Sequence, residues 1–255
     1  MPLMIRQIDA RDQVSRHLAL GALASVILPA TVADVLAECG AAGQRTRKLS
    51  GMVTRFFCIA MNLYAEDCLG HVFRQLVLGL RWLWPDPAAL CVSKGALCQA
   101  RYRLGARPLA RLFRRVCRPL AAPATPGAFL FGLRLMALDG TTLDMPDTPA
   151  NVRAFGRQPS PRGTSAWPRV QVVALSECGT HAVCDAGIWP WDADERSAGR
   201  RLLRSVTRGM LVLWDRGFHS CTCPGYRRHP QLNPGTRHLD CQEFKPDGDG
   251  SQDRG

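Results

Sequence analysis

Acidic side chains are scarce in this chain: 21 Asp and Glu stand against 33 Lys and Arg, a formal charge of +12 over 255 residues. That imbalance favours a polyanionic partner, most often nucleic acid. Lysine is scarcer still. Lys48, Lys94 and Lys245 are the only ones, so arginine supplies nearly all the positive charge. Arginine codons are GC-rich, so this bias can follow from coding composition, and the net charge carries the argument. A bilayer-spanning run is also lacking. The longest apolar stretch, Phe56 to Ala65, falls short of the ~20 residues a transmembrane helix needs. The N-terminus carries Arg6, Asp9, Arg11 and Asp12 before any apolar run, so no secretory signal is expected. The 11 cysteines are odd in number and several sit in apolar stretches, such as Cys58 within Phe56-Phe57-Cys58-Ile59-Ala60. They read as reduced core thiols of a cytoplasmic protein, not as a disulfide framework.

Residues 1–120 read as helical. Pro29 breaks an alanine- and leucine-rich stretch, and Thr31 to Asp34 can open a helix that stops at Gly40. Ser50 caps a helix through Phe56, Phe57, Ile59 and Leu63, and a further apolar helix runs from about Cys68 to Leu83. Ser93 caps the next, which Gly105 interrupts, and another follows from Pro108 to Leu120. Between Lys94 and Arg118 there are eight basic residues and no acidic one. Two short helices about a glycine turn with unopposed arginines suggest a helix-turn-helix-like DNA contact through Arg101, Arg103, Arg114 and Arg115. The plain alternative is a helical hairpin with a solvated arginine face.

Residues 121–132 form a linker, opened by the Pro- and Gly-rich stretch Ala121 to Gly127. Beyond it the periodicity changes. Leu133 to Leu138 reads as a strand with Thr141 to Met145 as its hairpin partner. Val170 to Leu175 and His181 to Ile188 read as two more strands. Asp194 to Val206 reads as an amphipathic helix with Ala198, Leu202 and Leu203 inward, and Met210 to Trp214 as a buried strand. The fold class is therefore α+β, a helical domain followed by a mixed α/β unit over 133–220. Residues 221–255 hold only Leu232 and Leu239 as aliphatics larger than glycine or proline, and are expected to stay disordered.

Asp139 follows one apolar strand and Asp215 ends another. Acids at the ends of buried strands are costly unless used. Two such strands side by side would bring both carboxylates to one rim, where divalent ions could clamp a phosphodiester. On spacing alone, the plainer reading prevails, that each Asp starts a turn before a glycine. A zinc site built from His219, Cys221, Cys223, His229, His238 and Cys241 fits no standard spacing. Glu195 serves as another ligand candidate, or simply as an acid favoured at a helix N-terminus.

The ordered set Ala137-Leu138-Asp139-Gly140-Thr141-Thr142, Asp147-Thr148-Pro149-Ala150-Asn151, Phe155-Gly156 and Leu213-Trp214-Asp215-Arg216-Gly217-Phe218 resembles the DDE transposases of the insertion-sequence-4 family. Residues 20–120 resemble that family's helical N-terminal domain, through Leu28-Pro29-Ala30, Glu38-Cys39-Gly40 and Gln99 to Gly105. The resemblance implies an RNase H-like catalytic core, with Asp139 and Asp215 as catalytic, metal-binding acids. It also implies Mg²⁺ or Mn²⁺ as cofactor, double-stranded insertion-sequence ends as partner, no membrane, and a homodimer on DNA in the bacterial nucleoid. The family's third acid stands in a Y-x2-R-x3-E-x6-K signature. None of Tyr64, Tyr102 and Tyr226 has arginine three residues on, so that signature is absent. Family-like text stops near Ser220, which is what a frameshifted or early-terminated element would leave. The expected function is DNA transposition by strand cleavage and transfer, impaired in this chain. The alternative is a non-catalytic DNA-binding protein that recognises element ends.

Overall fold

The computed structural model describes residues 23–41, 49–80, 92–161 and 163–214, together with two strands in 226–228 and 240–244. The chain divides into two compact units, Met1–Val116 and Cys117–Gly255.

The first unit is helical: α1 Pro29–Glu38, α2 Gly51–Leu63, α3 Leu69–Gly79, α4 Lys94–Leu104 and α5 Arg107–Val116. Apolar residues at helical spacing build its core: Val32 and Leu36 of α1, Phe56, Phe57 and Ala60 of α2, Val72, Phe73 and Leu76 of α3, then Leu97, Leu104 and Leu112. Phe57 and Phe73 meet edge to face, with ring centroids 5.8 Å apart. The helical stretch over 23–26 stops before Pro29, and Pro29 itself begins α1, because proline lacks only an N–H that the first turn cannot use. The Ser50 and Ser93 hydroxyls cap α2 and α4, accepting from Val53 N at 3.4 Å and Ala96 N at 3.2 Å. Ser93→Ala should cost about 1 kcal/mol of helix stability, measured as a lowered denaturation midpoint. Gly105, at φ +67°, ends α4 in a conformation that strains other residues. Arg55 is fully buried and donates Nη1 to Val32 O at 3.0 Å.

The second unit contains β1 Phe129–Leu130, β2 Leu133–Asp144, α6 Pro149–Phe155, β3 Pro159–Ser160, β4 Gly163–Thr164, β5 Arg169–Glu177, β6 Val183–Pro190, α7 Glu195–Leu202 with a 3-10 turn Leu203–Ser205, β7 Met210–Trp214, β8 Tyr226–Arg228 and β9 Asp240–Phe244. The sheet order is β6-β5-β2-β7-β9-β8, with β1 also paired to β2, while β3 and β4 form a separate ribbon. β2, β5 and β6 form an antiparallel meander, and β7 runs parallel to β2. Between β6 and β7, α7 packs Ala198 and Leu202 onto Met136, Leu138, Val173, Val212 and Trp214. The fold is thus mixed α and β.

Three elements differ from the sequence expectation. The hairpin expected at Gly140 does not form. β2 runs unbroken from Leu133 to Asp144, because β5 pairs with it on both sides of Gly140, from Met136↔Glu177 to Asp144↔Arg169. Cross-strand pairing overrides the Asp-Gly turn signal. Within the segment expected to lack order, Asp240–Phe244 pairs with β7 and Tyr226–Arg228 pairs with β9. Main-chain pairing along β7 satisfies backbone groups without requiring aliphatic side chains. The α5 helix ends at Val116, short of the expected Leu120.

Two buried acids tie the second unit together. The Glu177 side chain is fully buried and accepts from Leu120 N at 3.0 Å, Ala121 N at 2.8 Å, Thr180 Oγ1 and the Arg134 guanidinium. Asp185, equally buried, accepts from Arg204 Nε at 2.9 Å, Arg204 Nη2 at 3.0 Å and Ser205 Oγ at 2.7 Å.

Candidate functional site

The strongest candidate from the sequence, Asp139, stands on β2 opposite Ala174 of β5 and is exposed. Its neighbours Met136 and Leu138 are buried under α7, and strand alternation puts Asp139 on the other face. One carboxylate oxygen accepts from Gly140 N at 2.8 Å. Its partner in the constellation, Asp215, lies outside the described residues. The residue before it, Trp214, pairs in parallel register with Leu138, the residue before Asp139. The residues that immediately precede the two acids therefore stand side by side.

The fold accounts for glycine at position 140. A Cβ there would collide with Glu195 Oε1. The Glu195 carboxylate thus rests against β2 one residue from Asp139, but on the side where α7 packs. Asp139 and Glu195 approach one point of β2 from opposite faces, and they do not converge. Among the described residues no group of three or more His, Cys, Asp or Glu could hold a metal ion. The six His and Cys residues weighed for zinc, from His219 to Cys241, have no described side chains.

The second family-like motif is local architecture. Thr148 caps α6 by accepting from Asn151 N at 3.2 Å, and Asn151 Nδ2 donates to Pro146 O at 2.9 Å. Asp147 pairs with Arg157 at 2.6 Å. Gly156, at φ +75°, ends the helix where a Cβ would lie 2.8 Å from the Trp191 indole nitrogen. This loop borders an open cavity of about 520 Å³ lined by Gln158, Ser160, Trp167 and Arg169 among others; Arg169 is engaged by Asp144 at 2.8 Å.

In the helical unit, all four arginines singled out from the sequence are exposed. They are not equivalent. Arg115 is bound to Glu38 at 2.5 Å, with Asp34 at 4.0 Å. Arg101 lies on the Cys58 thiol, whose pKa burial raises more than the guanidinium lowers it. Arg103 and Arg114 make no ion pair among the described residues.

Residues 17–114 match the model of the insertion element 4 transposase N-terminal domain. Over 216 residues the chain is 29% identical to the transposase InsG for insertion sequence element IS4 of Escherichia coli K12, covering 83% of this chain and 48% of InsG. These similarities support a transposase of the insertion element 4 type. The chain is also 29% identical over 130 residues to the transposase InsZ of the same strain, 51% of this chain and 44% of InsZ. The chain spans about half the length of these curated relatives. No solved structure matches it. Among the described residues no helix is long and apolar enough to cross a membrane.

Proposed function

We propose that the chain serves DNA transposition as a DDE-type polynucleotidyl transferase unit, with Asp139 and Asp215 as its catalytic acids. The observation that carries this reading is the parallel pairing of Leu138 with Trp214, which sets the residues preceding the two acids at one level of the sheet. The order β6-β5-β2-β7, with a helix crossing between β6 and β7, supports an RNase H-like core, in which an antiparallel meander meets a parallel fourth strand.

Asp139 fits a hard divalent cation. It offers carboxylate oxygen, is exposed, and has one oxygen uncommitted among the described residues. Asp139 and Asp215 would hold Mg²⁺ or Mn²⁺, which when bound supplies charge neutralisation at a phosphodiester and activation of the attacking oxygen. The Asp139 carboxylate, oriented by Gly140 N, contributes charge and a fixed direction to that centre. The helical unit would hold double-stranded element ends through exposed arginines that no acid among the described residues engages, Arg103 and Arg114 among them, and two copies would act on paired ends.

The test is strand cleavage of end-labelled insertion-sequence termini with Mg²⁺ or Mn²⁺, using a chain extended by a C-terminal segment that bears the family's signature glutamate. Product that depends on metal and disappears in both Asp139→Asn and Asp215→Asn supports the reading. Product that survives both substitutions excludes it.

A further inference from the structure

We propose that the DNA-binding face of the helical unit is one stripe of α5, Arg107, Arg111 and Arg114, and that it takes the phosphate backbone of duplex DNA without reading its sequence. The identity of the polyanion rests on the transposition reading above; the stripe itself rests on the helix.

The three residues fall at i, i+4 and i+7, so they share one side of α5 and extend over roughly 10 Å of its axis. All three are exposed, and none has an ion-pair partner among the described residues. The opposite side carries the packing: Pro108 and Leu112 are buried, while Leu109 and Val116 lie against the core of the unit. The stripe is therefore a rigid row whose direction the core fixes.

Nothing within the helix balances this row. There is no acidic residue from Lys94 to Arg118. Like charges at i, i+4 repel, and Arg107 adds a positive charge at the helix N-terminus, where the dipole already disfavours one. A row of guanidinium groups, each able to bind two phosphate oxygens, is relieved by a regular array of phosphates. Duplex DNA offers such an array, with one negative charge per ~1.7 Å of axis.

The same geometry removes two of the arginines chosen from sequence. Arg115, next to the stripe, is spent on Glu38 and Asp34 of α1. Arg101 is turned onto Cys58 of α2. Both hold the unit together and contribute little to binding.

The experiment is anisotropy of a labelled 30-base-pair duplex of arbitrary sequence titrated with the full chain at increasing NaCl. The wild type should show a steep fall of log affinity with log salt. In R107Q/R111Q/R114Q that slope should shrink by two to three, at about 0.9 for each phosphate that is no longer neutralised. Affinity at low salt should drop at least tenfold. The charge-keeping R107K/R111K/R114K variant should retain the slope. R115Q should keep the slope and melt at a lower temperature. If the triple glutamine variant fails to fold, the single R111Q variant decides, with an expected decrease of about 0.9 in slope. A glutamine variant with wild-type circular dichroism and an unchanged slope overturns the stripe alone. A wild-type chain that does not bind the duplex overturns the nucleic-acid reading together with the stripe.

Discussion

Glu177→Ala should destabilise the second unit by about 3–5 kcal/mol, the range for breaking a buried charge pair, and should shift its urea midpoint accordingly. The side chain is wholly enclosed and gathers four donors: Leu120 N, Ala121 N, Thr180 Oγ1 and Arg134. Truncation leaves two backbone amides and a guanidinium facing an empty acceptor position, and the cost of such orphans exceeds the value of the bonds they made. Glu177→Gln keeps the shape and part of the acceptor set, so its loss should be smaller. Burial by itself would raise the Glu177 pKa, but the hydrogen bonds from Thr180, Leu120, Ala121 and Arg134 outweigh it and hold the carboxyl below its ordinary range. A depressed folded pKa means that this contribution is fully present above the unfolded value of about 4.3 and fades as pH falls through the folded one. The wild type should therefore lose stability on the acid side of pH 4 more steeply than Glu177→Gln. Equal acid limbs for the two proteins would show that the pairing is energetically idle.

What was legible in the sequence was local. Ser50 and Ser93 precede apolar helical runs, and both hydroxyls cap as their position implies. The strands β5 and β7 stand out because most of their apolar residues bury. Gly140 misled because Asp-Gly favours a turn, whereas pairing with β5 and the closeness of Glu195 hold it extended in a strand. The buried acids were hidden for another reason: Glu177 meets an arginine 43 residues away, and Asp185 one 19 residues away. The Arg115–Glu38 pair spans 77 residues, so nothing near Arg115 in sequence distinguished it from Arg114. Of the candidate site, the sequence delivered Asp139 and the strand leading to Asp215. That these strands are adjacent and parallel is a property of the sheet order, which only the three-dimensional pairing reveals.

The 255-residue chain by itself should yield no detectable strand cleavage of element-end DNA with Mg²⁺ or Mn²⁺, and a chain extended by a segment carrying the Y-x2-R-x3-E-x6-K signature should cleave. In the extended chain Asp139→Ala should lower the cleavage rate at least ~10³-fold, since stabilisation of developing phosphoryl charge is worth several kcal/mol and each 1.36 kcal/mol is about tenfold. Three acids of the present chain bear on the outcome. Glu195 lies against Gly140 from the side where α7 packs and would have to swing around β2 to join Asp139. Glu243 pairs with Leu211, three residues before Trp214, which sets it about 10 Å along the strand from the acid-bearing end. Asp240 pairs with Trp214 itself, level with Leu138 on the far side of β7. Register thus favours Asp240 over the two glutamates as a substitute acid. If the unextended chain does cleave, and Asp139→Ala abolishes that activity, single substitutions of Asp240, Glu195 and Glu243 identify the substitute. Loss in Asp240→Asn alone would make the β7–β9 register, and not an appended helix, the source of the third carboxylate.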